Sequence, residues 1–152
     1  MLENLVDRGV PENNEEDKSL LIPFIITYLS CGFPSPAADY LEEPIDLLST
    51  LVKHPKATVL WRAGGDSMIG RHIDVGTVMV IDKMVKPKSG DAVAVRINGE
   101  MCVREWVVDR DGRVFLRACN DNYKPIELNE FMEVEIKGTV VCSITIQKAG
   151  WL

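Results

Sequence analysis

Ser67 stands in AGGDSMIG, residues 63–70, behind a Gly-Asp pair and just after the apolar run ATVLW. A serine hydroxyl is a weak nucleophile at its own pKa. Attack on an amide therefore needs an adjacent base: a His, a neutral Lys or a carboxylate. Two readings of the stretch stand side by side. As plain structure, Gly64-Gly65-Asp66-Ser67-Met68 is a turn, with glycines for backbone freedom and Asp and Ser for local hydrogen bonds. As a site, the same turn exposes Ser67 Oγ and leaves backbone N–H groups free to bind an oxyanion. The partner decides between them.

Candidates for that partner are few. His54 and His72 are the only histidines. His72 follows Ser67 in the loop-like IGRHIDVG and reads as a solvated surface residue. Asp66 is poorly placed to turn toward its own neighbour's hydroxyl, and Asp74 suits the turn before Gly76. Lys83, Lys86 and Lys88 fall in a loop-like stretch. The cysteines, Cys31, Cys102, Cys119 and Cys142, show no CxxC spacing. Three of them sit among strand-like residues, where a small buried thiol is the ordinary role. No metal or cofactor is expected.

The elements that must position Ser67 read as strands. ATVLWRA, TVMVID, DAVAVRI, EMCVREWVV, RVFLRA and EVEIKGTVVCSITI are rich in β-branched and aromatic residues and are separated by turn residues, which predicts at least six strands. Asn98-Gly99 predicts a tight hairpin between two of them and Asp111-Gly112 another, because glycine tolerates the positive φ such turns require. Ile45, Leu48, Leu51 and Val52 have the spacing of one helical face, predicting a short helix over 45–53 that ends before His54-Pro55. The domain is therefore mainly β, with strongly bent sheets and one short helix.

Size and charge narrow the possibilities further. A chain of 152 residues with 46% hydrophobic residues holds one compact core plus an arm. The expected division is an N-terminal arm over 1–40, then a β domain over 41–152. A net charge of -6 argues against a broad footprint on nucleic acid. Residues 1–18 hold six acids and two bases and read as a solvated arm. CGFPSPAADYLEEP follows as a connector whose prolines favour an extended path. Between them, SLLIPFIITYLS (19–30) lacks a basic flank and is too short to span roughly 30 Å of hydrocarbon. It is expected to pack on the β domain or across a dimer interface. A reducing cytoplasm is the simplest compartment.

The ordered set CGFPSPAADY at 31–40, GGDSM at 64–68, GTVMVID at 76–82, SGDAVAV at 89–95, NGEMCVRE at 98–105 and NDNYKPIEL at 120–128 resembles the LexA/UmuD family of self-cleaving serine proteins, on its UmuD side. The resemblance covers roughly residues 24–147. It implies a bent, partly closed β domain of the LexA/UmuD C-terminal type with an extended N-terminal arm. It further implies cleavage of that arm at Cys31-Gly32 and a nucleophile at Ser67. Gly32 lacks a Cβ, so a backbone approach there is unobstructed. Repressors of the family carry a DNA-binding module ahead of the bond. Here the 31 preceding residues are acidic and too few for one. By resemblance the partners are a second copy in a homodimer, a UmuC-like polymerase subunit, and RecA filaments on single-stranded DNA, which assist the cleavage. The process served is error-prone synthesis in the SOS response, with no direct nucleic-acid or membrane binding.

One position departs from the family. Its general base is a lysine on the strand after the NGE turn, in a pattern resembling GEFTVK, whereas this chain has GEMCVR and places Arg104 there. A buried lysine can be held neutral near pH 7 by desolvation. Arginine starts at about 12.5–13.8, so neutralising it at pH 7 costs on the order of 8 kcal/mol, and its charged form has no acceptor lone pair. Cleavage is therefore expected to be impaired. A different class of function, a non-proteolytic dimeric interaction module, stands as the alternative. Ser67→Ala separates the two, because a binding module keeps its partner affinity. A signal-peptidase-like enzyme is a third reading, and it lacks a visible membrane anchor.

Overall fold

The computed structural model describes residues 21–25, 29, 31–33 and 41–151. The acidic arm over 1–18 and residues 34–40 of the proline-rich connector lie outside the described residues. Those described fall into two units that divide between Leu47 and Leu48.

In the first unit, β1 (Leu21–Ile25) pairs antiparallel with β2 (Leu41–Asp46). The register slips between Ile22 and Phe24, at Pro23. Pro23 and Pro44 both fall in that irregular step, where a ladder N–H is not required. Part of the apolar run at 19–30 is thus a strand. Cys31, Gly32 and Phe33 are exposed and trace a bend.

The helix is shorter than its periodicity predicts. It spans Leu47–Leu51 as α1 rather than 45–53. Ile45 and Asp46 are taken up by pairing with Ile22 and Leu21 as the end of β2. After Leu51 the chain turns toward Pro55, which disfavours helical backbone in the residue before it.

The second unit is a seven-stranded antiparallel sheet. Its strands are β3 (Thr58–Arg62), β4 (Val78–Asp82), β5 (Ala92–Ile97), β6 (Glu100–Val108), β7 (Val114–Arg117), β8 (Ile126–Glu127) and β9 (Val134–Ile144). They lie in the order β3-β4-β9-β5-β6-β7-β8, with no pairing between the two end strands. The six strands read from the sequence are all present, and β8 is added. Mainly β and not closed, the fold is consistent with the LexA/UmuD C-terminal type. Among the described residues no helix is long and apolar enough to cross a membrane.

β5 is apolar at consecutive positions because both its faces are covered. Ala92 and Ala94 join one core cluster with Met68, Ile73, Met79 and Ile81. Val93 and Val95 join another with Leu116. Each full burial of such a Val or Leu side chain contributes about 1.5–3 kcal/mol. β9 bridges β4 and β5 by bending, with register shifts against each. Gly138 makes the bend: φ is +153°, and a Cβ would lie 2.6 Å from Ile81 Cγ2. The β5–β6 hairpin turns on Asn98 and Gly99, with φ of +48° and +87°. The β6–β7 turn is wider than Asp111-Gly112 alone suggests. Asp109 N–H bonds Arg113 O, and Asp109 Oδ1 accepts from the N–H of Asp111 and of Arg113.

Candidate active site

Ser67 sits in the loop between β3 and β4, whose neck is clamped by bonds from Ala63 N to Thr77 O and from Gly76 N to Ala63 O, both 2.8 Å. Thr77 N–H bonds Asp74 O, and Asp74 Oδ1 accepts from Val75 N, so Asp74 shapes the turn as expected. Within the loop, a 3-10 turn at Ile69–Arg71 starts just after the serine. Gly70 N–H donates to Cys119 O at 2.8 Å, and a Cβ on Gly70 would lie 2.7 Å from that oxygen. Only glycine allows the loop to lie this close to the chain leaving β7.

The two neighbours of Ser67 fix its direction. Met68 is 2% exposed and anchored in the core. Asp66 is held from the other side: Asn120 Nδ2 donates to its carbonyl at 3.1 Å, and Tyr123 OH donates to its carboxylate at 2.6 Å. With one neighbour buried and the other pinned, Ser67 is left facing a cavity of about 440 Å³.

Arg104 lies on β6 opposite Val93. Its Nη1 donates to Ser67 Oγ and to Val103 O, each at 2.7 Å. The guanidinium carbon stands 5.4 Å from the centre of the Tyr123 ring, a cation–π contact. Its Nε–H is buried and has no partner, a deficit that typically costs about 1–3 kcal/mol. Cys102 lines the same cavity. Burial pushes its thiol up, Arg104 pulls it down and Glu100 adds to the rise, with a net upward shift that keeps it a poor nucleophile.

The remaining candidates lie elsewhere. His72 is exposed, with φ of +59°. His54 Nδ1 bonds Asp82 Oδ2 at 2.6 Å. Neither histidine lines the cavity, nor do Lys83, Lys86 and Lys88. The Asp66 carboxylate is engaged by Tyr123. Among the described residues, then, the group bonded to the Ser67 hydroxyl is a donor, and an arginine can polarise an alcohol without accepting its proton. Cys31 and Gly32 belong to the first unit. Asn120, Tyr123 and Gly70 position the loop, and reasoning from sequence assigned them no role. The signal for Asn120 and Tyr123 was the polar cluster NDNY, whose contacts with Asp66 reach back across more than fifty positions. Among the described residues no cluster of His, Cys, Asp or Glu could hold a metal.

A peptidase S24-like family model matches residues 23–141. The chain belongs to the peptidase S24-like family. It is 37% identical to the protein SamA of Salmonella typhimurium over 122 residues, covering 80% of this chain and 84% of SamA. It is 38% identical to the protein ImpA of Escherichia coli over 98 residues, 64% of this chain and 68% of ImpA. The LexA repressor of Shewanella halifaxensis is 29% identical over 133 residues, 84% of this chain and 63% of the repressor. Among S24-like proteins it is a UmuD-like member of the LexA/UmuD group.

Proposed function

We propose that this chain is a UmuD-like accessory subunit of an error-prone translesion polymerase in the SOS response, in which self-cleavage at Cys31-Gly32 is impaired. Its arm over 1–40 precedes a β domain over 41–152 that dimerises and engages a UmuC-like polymerase subunit and RecA filaments in the cytoplasm. The 2.7 Å bond from Arg104 Nη1 to Ser67 Oγ carries the reading. Ser67 is the nucleophile position and Arg104 the base position. Attack by Ser67 on the Cys31 carbonyl requires the hydroxyl proton to leave, and a guanidinium already holds all the protons it can. Its charge stabilises a developing alkoxide, while general-base assistance worth about 10² to 10⁴ in rate is missing.

The same donor-only contact of Arg104 with Ser67 favours a second reading, an interaction module without proteolysis, since the residue bonded to the hydroxyl takes up no proton. Sedimentation equilibrium and co-purification with a UmuC-like polymerase test the shared part of both. A dimer that retains the polymerase supports it, and a monomer that fails to bind contradicts it.

A further inference from the structure

Arg104 is a cation without an anion. Both Nη1 bonds go to neutral oxygens, those of Ser67 and Val103. Arg96, Arg113 and Arg117 each meet a carboxylate, Glu135, Asp109 and Glu105, and Arg62, Arg71 and Arg110, which meet none, are exposed to solvent, whereas Arg104 is half-buried. Among the described residues no carboxylate lies within ion-pair distance of Arg104. Half-buried charge ordinarily finds a counter-charge.

The cavity has the same bias. Arg62 and Arg104 both line it and no acidic residue does, in a chain whose net charge is -6. The rest of the lining is largely apolar, with Trp61, Ile73, Met79, Ala94 and Met101. β3, which supplies Trp61 and Arg62, is an end strand of the sheet, so an extended chain can lie beside it. Its volume is in the range that accepts small ligands and peptide ends.

We propose that this pocket is a receptor for the C-terminal carboxylate of a peptide with apolar residues ahead of it. One carboxylate oxygen meets the guanidinium of Arg104. The other accepts from the Ser67 hydroxyl, whose hydrogen is available because Oγ is itself the acceptor in the Arg104 bond. The apolar side chains preceding the carboxylate fill the remainder. The proposal rests on the reading that no base serves Ser67, since a neutral amine there would not attract an acid.

Trp61 in the lining makes fluorescence a direct probe. The full chain is titrated, under reducing conditions, with an acetylated peptide of the sequence of residues 25–31 bearing a free carboxylate, with the same peptide as its amide, and with acetate. The acid is expected to bind at least about tenfold tighter than the amide, the scale of one charge-assisted contact. Arg104→Gln is expected to abolish that preference, and Ser67→Ala to reduce it several-fold, with thermal melts confirming that each variant is folded. Equal binding of acid and amide overturns the proposal, as does saturation by acetate at the concentration that the peptide needs. Intact mass of the same samples reports cleavage separately: an uncut chain without acid preference overturns the receptor alone, whereas rapid cutting overturns the reading beneath it.

Discussion

Tyr123 donates its phenolic hydrogen to the Asp66 carboxylate at 2.6 Å, while its ring lies against the guanidinium of Arg104. One side chain thus braces both the residue before Ser67 and the residue bonded to it. The bond to Asp66 holds the Tyr123 phenol above its ordinary value, with the carboxylate charge and burial adding to the shift and Arg104 opposing it. A raised folded value means that this contribution is complete below about pH 10 and is lost as pH rises through the folded value. Asp66→Asn is expected to lower the Tyr123 midpoint in an ultraviolet absorbance titration. An unchanged midpoint contradicts the contact.

Arg104→Lys is expected to accelerate release of a fragment beginning at Gly32 by about 10² to 10⁴, because a desolvated lysine can shed its proton and then accept one from Ser67. Arg104→Ala should give no such gain. Equal rates in the two variants would mean that position 104 is not the base position.

Asp82, almost fully buried at the end of β4, accepts from His54 Nδ1 and from Met84 N–H. Burial pushes its carboxyl up, but the His54 bond, the backbone N–H groups and the His54 charge together hold it below the usual carboxylate value. The unfolded chain therefore takes up this proton first. The stabilisation is complete above about pH 4 and is lost as pH falls through the folded value. Asp82→Asn should lower the melting temperature at neutral pH and flatten the acid limb of the stability profile. A profile parallel to that of the unmodified chain would refute this.

Gly138→Ala is expected to destabilise the domain by about 1–3 kcal/mol, the usual scale of overpacking. The new methyl would meet Ile81 Cγ2 at 2.6 Å and Asp82 O at 3.0 Å. Denaturant unfolding measures the loss, and a neutral result would show that β9 can bend without glycine.

Strands and their turns were legible where local chemistry decides them. β-branched runs marked six strands, and Asn98-Gly99 named its own turn because both residues need positive φ. The helix was misread at its start, since the periodicity of 45–53 says nothing of Ile22 and Leu21, which draw Ile45 and Asp46 into a strand. Asp109 was missed because its side chain organises a turn two residues before the Asp-Gly pair that drew attention. At the candidate site, Ser67 and Arg104 were identified by pattern and the structure brings them together. Asn120 and Tyr123 were not assigned a role, because contacts spanning more than fifty residues leave no periodic trace.

Intact-mass spectrometry of the unmodified chain, incubated at alkaline pH and separately with activated RecA filaments, bears most directly on the proposal that Arg104 holds the base position and takes no proton from Ser67. The chain is expected to remain whole, or to be cut slowly, under both conditions. Rapid accumulation of a fragment beginning at Gly32 would show that Ser67 finds its proton acceptor elsewhere.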